Sequence, residues 1–272
     1  MRRHHYWKDP FRRLKFLESL EPRLPLASHV WTGLGASDDW DLPDNWDGGV
    51  VPAAGDTALF NNANGSSVKL YGNQTKTVKI QASAGNIIID LNGFDFNQQG
   101  ISTHSQTATN LTITGPGSLL SPFGGVGFDI GGIGVASSVL LTNITKFEFD
   151  DIKIGGLGHY VVAPDFSSFE LVSAGSGKLE VRGSMGEGTS IQVGVIANGQ
   201  GELVVTQESA IELTNDVIVG IRSRGEVAII DSSLQSQASI VVGEGWVEEP
   251  VPPETHSEIV DGTIPGYLTL TR

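Results

Sequence analysis

The chain has no cysteine, which excludes disulfide staples and a cysteine nucleophile. It has no run of 18 apolar residues, so no stretch has the character of a membrane-spanning helix. Helical periodicity is missing beyond the N-terminal tail. Charge is scarce, at 18% of residues, and lopsided: 17 Lys and Arg stand against 31 Asp and Glu, for a formal charge of −14. Ten of those basic residues and 28 of the acids lie beyond residue 27. An acidic body of this kind lacks the basic surface that nucleic-acid binding requires. A G-x-S-x-G elbow, a phosphate-binding glycine loop, an EF-hand loop and a Gly-Asp nonapeptide repeat are all absent, and the six histidines show no metal spacing. The sequons at Asn64, Asn73, Asn110 and Asn143 are no more than a chain so rich in Asn and Thr produces by chance.

What is present is a repeat. Gly177-Lys-Leu-Glu-Val181, Gly201-Glu-Leu-Val-Val205 and Gly225-Glu-Val-Ala-Ile229 recur at intervals of 24 residues. Apolar residues alternate within each block, which is the strand period, so Leu179, Val181, Leu203, Val205, Val227 and Ile229 are expected to point inward. A second strand recurs in the same register: Ile191-Gln-Val193-Gly194, Val217-Ile-Val219-Gly220 and Ile240-Val-Val242-Gly243. Its closing glycine suits a corner with positive φ or a close backbone approach. Ala210-Ile-Glu-Leu213 is a third strand candidate. Two or three strands per coil at a fixed period predict an all-β fold, a single-chain right-handed parallel β-helix of about ten coils. The competing arrangement is an antiparallel sandwich, against which stand the scarcity of Asn-Gly and Asp-Gly turns and the 24-residue register. Further strands are expected at Val68–Leu70, Val78–Ile80, Ile87–Leu91, Leu111–Ile113, Val139–Leu141 and Ile152–Ile154, with a glycine-rich stretch at 123–134.

Three regions follow. Residues 1–27 are a basic tail, disordered or a short amphipathic helix over 11–20, too poor in apolar residues for an ordinary signal peptide. Residues 28–66 are Trp-rich and read as the N-terminal cap of the solenoid, with an aromatic platform for sugar stacking as the alternative. Residues 67–272 are coils, interrupted at 244–265 by an inserted loop with six acids, four prolines and no Lys or Arg. Because the chain stops just after the strand Gly266-Tyr-Leu-Thr-Leu270, it is expected to be a fragment or the front of a longer protein.

Two resemblances bear on function. Leu20-Glu-Pro-Arg-Leu-Pro-Leu26 resembles the LEPR-x-Leu-Leu motif of large bacterial surface proteins, with Pro25 where that motif has leucine. It implies an export or sorting role. The series Trp31-x-Gly33-x-Gly35, Trp40, Asn45-Trp46, Gly48-Gly49, Pro52 and Gly55-Asp56…Phe60 is similar to the opening of autotransporter-type β-helix passengers. The segment 86–96, with its Leu91-Asn92-Gly93 turn, resembles another stretch common in such helices. These resemblances imply a secreted or cell-surface structural or adhesive protein without catalysis, extracellular, whose partner is an envelope or extracellular polysaccharide or a surface protein.

A search for chemistry yields little. Asp150-Asp151 followed by Gly158-His159 resembles two elements of polygalacturonases, while the Asn-Thr-Asp and Arg-Ile-Lys elements of that family are missing. On that resemblance Asp150, Asp151 and His159 are the catalytic candidates of a glycoside hydrolase or polysaccharide lyase, the alternative reading; the plain one is a strand with Asp151 and Lys153 solvated. A third alternative is a non-functional fragment of a larger surface protein. No cofactor is expected. Calcium is the one cation with a rationale, because Glu180, Glu202 and Glu226 are expected to stack on one outer face, near the offsetting Lys178 and Arg182.

Overall fold

The computed structural model describes residues 26–122, 127–155, 159–162, 169–173, 175–194, 200–220, 224–243, 259–260 and 266–271. At 159–162, 169–173, 243, 259–260 and 266–271 the description is of the backbone alone. The tail 1–25, most of the 244–265 insertion and part of the 123–134 stretch lie outside the described residues.

The chain is a parallel β-solenoid. One ladder runs through eight parallel strands: Ser66–Lys69, Gly85–Asp90, Thr109–Thr114, Ala136–Thr142, Ser176–Arg182, Gln200–Thr206, Arg224–Ile230 and Gly266–Thr271. The 24-residue repeat is its register: Gly177 lies opposite Gly201, and Gly201 opposite Gly225. All six inward-facing positions of the repeat blocks are buried. Eight strands, fewer than the ten coils expected, fill the ladder because two steps are long: residue 136 pairs with 176, and 225 with 266.

The second sheet explains the change from two strands per coil to three. Gln74–Ala82 and Phe96–Ser102 are long strands that pair with each other along one side. Phe96–Ser102 then bends. Its first half pairs with Ser118–Leu120 and its second half with Phe128–Ile130, so the sheet forks into two ladders. The bend is built by Gln98, fully buried, whose Oε1 accepts from Gly100 N (2.5 Å) and whose Nε2 donates to Glu148 O (3.0 Å). Beyond the fork each coil has three sides. The second ladder continues through Lys146–Glu148, Met185–Gly188, Ala210–Leu213 and Ser233–Ser236. The third continues through Asp151–Ile154, Ser190–Val193, Val217–Val219 and Ile240–Gly243.

The corner between the first and second ladders is satisfied by a serine column. The chain takes left-handed backbone there at Asn143, Gln207 and Asp231 (φ 56°, 59° and 48°), which lifts amides off the ladder. Buried Ser184 Oγ accepts from Ile144 N (3.0 Å) and donates to Arg182 O (2.8 Å). One coil on, Ser209 Oγ accepts from Ser184 N (3.2 Å) and donates to Thr206 O (2.6 Å), and Ser232 Oγ accepts from Ser209 N. Hydroxyls thus replace the ladder partners that buried amides require.

The Trp-rich segment is continuous with the solenoid. Ser28–Val30 and Thr57–Phe60 pair in parallel and add on to Gln74–Ala82. Trp31, Trp40 and Trp46 are 0–2% exposed and meet edge to face at 4.9–5.0 Å, packing on Phe60 and Phe96. No ring presents a free face, so the sugar-stacking alternative falls. The intervening loop hangs on fully buried Asn45, whose Nδ2 donates to Ser37 O and Asp39 O (both 2.8 Å) while Oδ1 accepts from Gly35 N.

Asp56 ties the first strand down. Oδ1 accepts from Ala27 N (3.0 Å); Oδ2 accepts from Ala53 N (2.8 Å) and meets His29 Nε2 (3.1 Å). Burial pushes this carboxyl up, but the two amides and His29 outweigh it and hold it below the usual carboxylate range. Replacing it by Asn leaves one acceptor where two amides need partners, at an expected cost of about 1–2 kcal/mol. A depressed folded-state pKa stabilises fully above the unfolded value and less as pH falls through the folded one. Urea unfolding should therefore separate Asp56→Asn from the wild type at pH 7, and the gap should close below about pH 4.

Candidate functional site

The three corners differ in one respect that points to a face. Between the first and second ladders, from the fork onward, the connections are 115–117, 143–145, 183–184, 207–209 and 231–232. Between the second and third they are equally tight at 149–150, 189, 214–216 and 237–239, with 121–127 the exception. Between the third and first they run 131–135, 155–175, 194–199, 220–223 and 244–265. Both long insertions fall at this third corner. One carries an antiparallel hairpin, His159–Val162 with Phe169–Ser173; the other contributes Ile259–Val260 to the third ladder. In solenoids, insertions collect on the face that contacts partners, because loops there do not interrupt the stacking.

A groove of about 380 Å³ lies beside this corner, at the head of the first ladder. One outward row crosses it: Asn110, Ser138, Lys178, Glu202 and Glu226, register partners on successive strands about 4.8 Å apart. The row is a chain of contacts. Asn110 Nδ2 donates to Asn86 Oδ1 (2.8 Å) and Ser138 Oγ donates to Asn110 Oδ1 (2.7 Å). Lys178 Nζ pairs with Glu202 Oε1 at 2.8 Å, and the neighbouring row supplies Arg224 to Glu226 at 3.5 Å. Ser137, on the inward side of the same strand, also lines the groove. It is 3% exposed, and its hydroxyl finds no hydrogen-bond partner among the described residues.

The catalytic candidates sit elsewhere. Asp151 opens a strand of the third ladder, with Ile152 and Ile154 buried and Lys153 exposed. Its Oδ1 accepts from Ser190 Oγ (2.7 Å), and Asp150 Oδ1 accepts from Thr189 Oγ1 (2.8 Å). Both carboxylates thus tie this coil to the next. His159 starts the hairpin strand, where the backbone alone is described, and Gly158 lies outside the described residues. The structure brings Asp150 and Asp151 together, while the side chain of His159 lies outside the described residues.

The expected glutamate stack is corrected by the register. Glu202 and Glu226 are partners, but Glu180 lies opposite Val204, and Lys178 takes the place opposite Glu202. Glu180 pairs instead with Arg182. A true glutamate column occurs on the second ladder, where Glu148, Glu187 and Glu212 are register partners. Lys146 bridges the first two at 3.0 and 2.9 Å. Burial raises the Glu148 carboxyl, yet Lys146 and the Ser121 amide hold it below the usual range, while the Lys146 ammonium is raised by its bonds to Glu187 and then Glu148. Among the described residues no group of three or more His, Asp or Glu is placed to hold a metal ion, and no helix is long and apolar enough to cross a membrane.

Fold and groove together define a parallel β-solenoid with one loop-bearing corner beside a polar trough. No protein-family model matches the chain, and neither does any curated protein or solved structure.

Proposed function

We propose that this chain is a non-catalytic binding scaffold of the cell surface or extracellular space, whose third corner and adjoining groove contact an envelope or extracellular polysaccharide or a surface protein. The observation that carries this reading is the confinement of both long insertions to one corner, next to the polar groove. The acidic body, with 28 of the 31 acids beyond residue 27, and the LEPR-like tail support placement outside the cell. Asp150 and Asp151, engaged by hydroxyls of the next coil, serve as structural ties in this reading.

The test is co-sedimentation of the purified chain with the insoluble envelope fraction of its host. A variant with 155–175 cut to the length of the 220–223 corner is run beside it. The intact chain should sediment, the shortened chain should stay in solution, and no reducing ends should be released. Equal sedimentation of the two chains sinks the contact edge; release of reducing ends makes the protein a glycan-cleaving enzyme.

A further inference from the structure

We propose that the groove at the head of the first ladder binds an uncharged, hydroxyl-rich glycan chain lying along the solenoid axis. This rests on the reading of the third corner as the contact edge and gives that edge a ligand chemistry.

Three features of the groove select such a ligand. Its uncharged polar side chains that face outward, Asn110, Ser138, Ser176 and Gln200, are amides and hydroxyls that both donate and accept hydrogen bonds, as sugar hydroxyls do. Its charges are already matched within the protein, Lys178 with Glu202 and Arg224 with Glu226, so an ionic ligand would have to displace a pair. Among the described residues no aromatic ring and no large apolar side chain lines it, so they offer no surface of the kind a hydrophobic or stacking ligand requires.

The geometry favours a polymer. Polar side chains recur once per strand along Asn110, Ser138, Lys178 and Glu202, so a chain laid across the strands meets a new partner at every rung.

The experiment is affinity electrophoresis of the full chain in native gels containing dextran, laminarin, galactomannan or polygalacturonate. Retardation is expected in at least one neutral gel. Ser138→Ala with Gln200→Ala should weaken it about tenfold or more, whereas Ser137→Ala, an inward change on the same strand as Ser138, should leave it unaltered. Two results each overturn the proposal: no retardation in any neutral gel, whether or not polygalacturonate retards the chain, or retardation untouched by Ser138→Ala with Gln200→Ala. Envelope sedimentation that survives loss of glycan retardation rejects the glycan alone, whereas a shortened corner that still sediments rejects the contact edge itself.

Discussion

Phe147→Ala should destabilise the solenoid by about 3–5 kcal/mol, the range for removing a fully buried aromatic side chain. The size of the effect follows from what the ring does besides filling volume. Phe147 stacks on Phe149 (5.7 Å between centroids, 19° between planes) and spreads beneath the next rung, Met185–Gly188. A Cβ built on Gly186 would stand 2.3 Å from Phe147 Cζ. Glycine in a strand is unfavourable because it orders a flexible backbone and packs nothing. Here the ring below supplies the missing cover, so the cost is offset as long as both residues are present. Gly186→Ala alone should therefore be destabilising, through the clash. On the Phe147→Ala background the same change should be stabilising, because the added methyl enters the space the ring has left. This reversal of sign is the decisive reading, obtained from urea unfolding of the four proteins as a double-mutant cycle. Additive effects would show that ring and glycine do not act as a unit.

The same pair shows where the sequence is legible and where it is not. Leu203 and Val205 alternate with polar neighbours and recur at a fixed period, so their strand and its inward face can be read directly. Met185-Gly-Glu-Gly188 carries no strand signal of its own. It is a strand because Phe147 and Phe149, some 40 residues earlier, form the surface it lies on. Information held across coils is invisible to a local pattern. The Trp31, Trp40 and Trp46 cluster could be anticipated from its composition, whereas the role of Asn45 as the clamp of that loop depends on three carbonyl and amide positions that only the folded chain defines.

The candidate site was less legible than the fold. The 24-residue offset already places Lys178 opposite Glu202, so the misplaced Glu180 is an error of register that alignment of the glycines corrects. The groove is another matter. Ser137 belongs to the inward row of Gly177 and Gly201, but the hairpin insertion sets it 40 residues before Gly177 and hides the relationship. The polar row from Asn86 to Glu202 likewise spans coils of unequal length.

Gly201→Val carries the second large expectation, a loss of about 3 kcal/mol at the upper end of overpacking costs. Gly201 is the second residue of its strand, Gln200–Thr206, at the third corner, where the coil turns back onto the first ladder. A Cβ there would lie 2.3 Å from Ile154 O and 2.4 Å from Gly194 N. Both are backbone atoms, and Gly194 N already donates to Ile154 O at 2.7 Å. A flexible side chain could swing aside; a hydrogen-bonded pair of backbone groups has no alternative rotamer. Relief requires that the bond between these two coils open, so the damage should be local to the corner. Amide exchange should accelerate at Gly194 and along Gln200–Thr206, while Thr57–Phe60 at the other end keeps its protection, because repeat stacks distribute stability through nearest-neighbour contacts. Val204→Ala, an outward change on the same strand, should stay within about 0.5 kcal/mol of the wild type. If Gly201→Val were equally silent, the close approach of backbone at this corner would be wrong, and with it the geometry that sets the head of the groove.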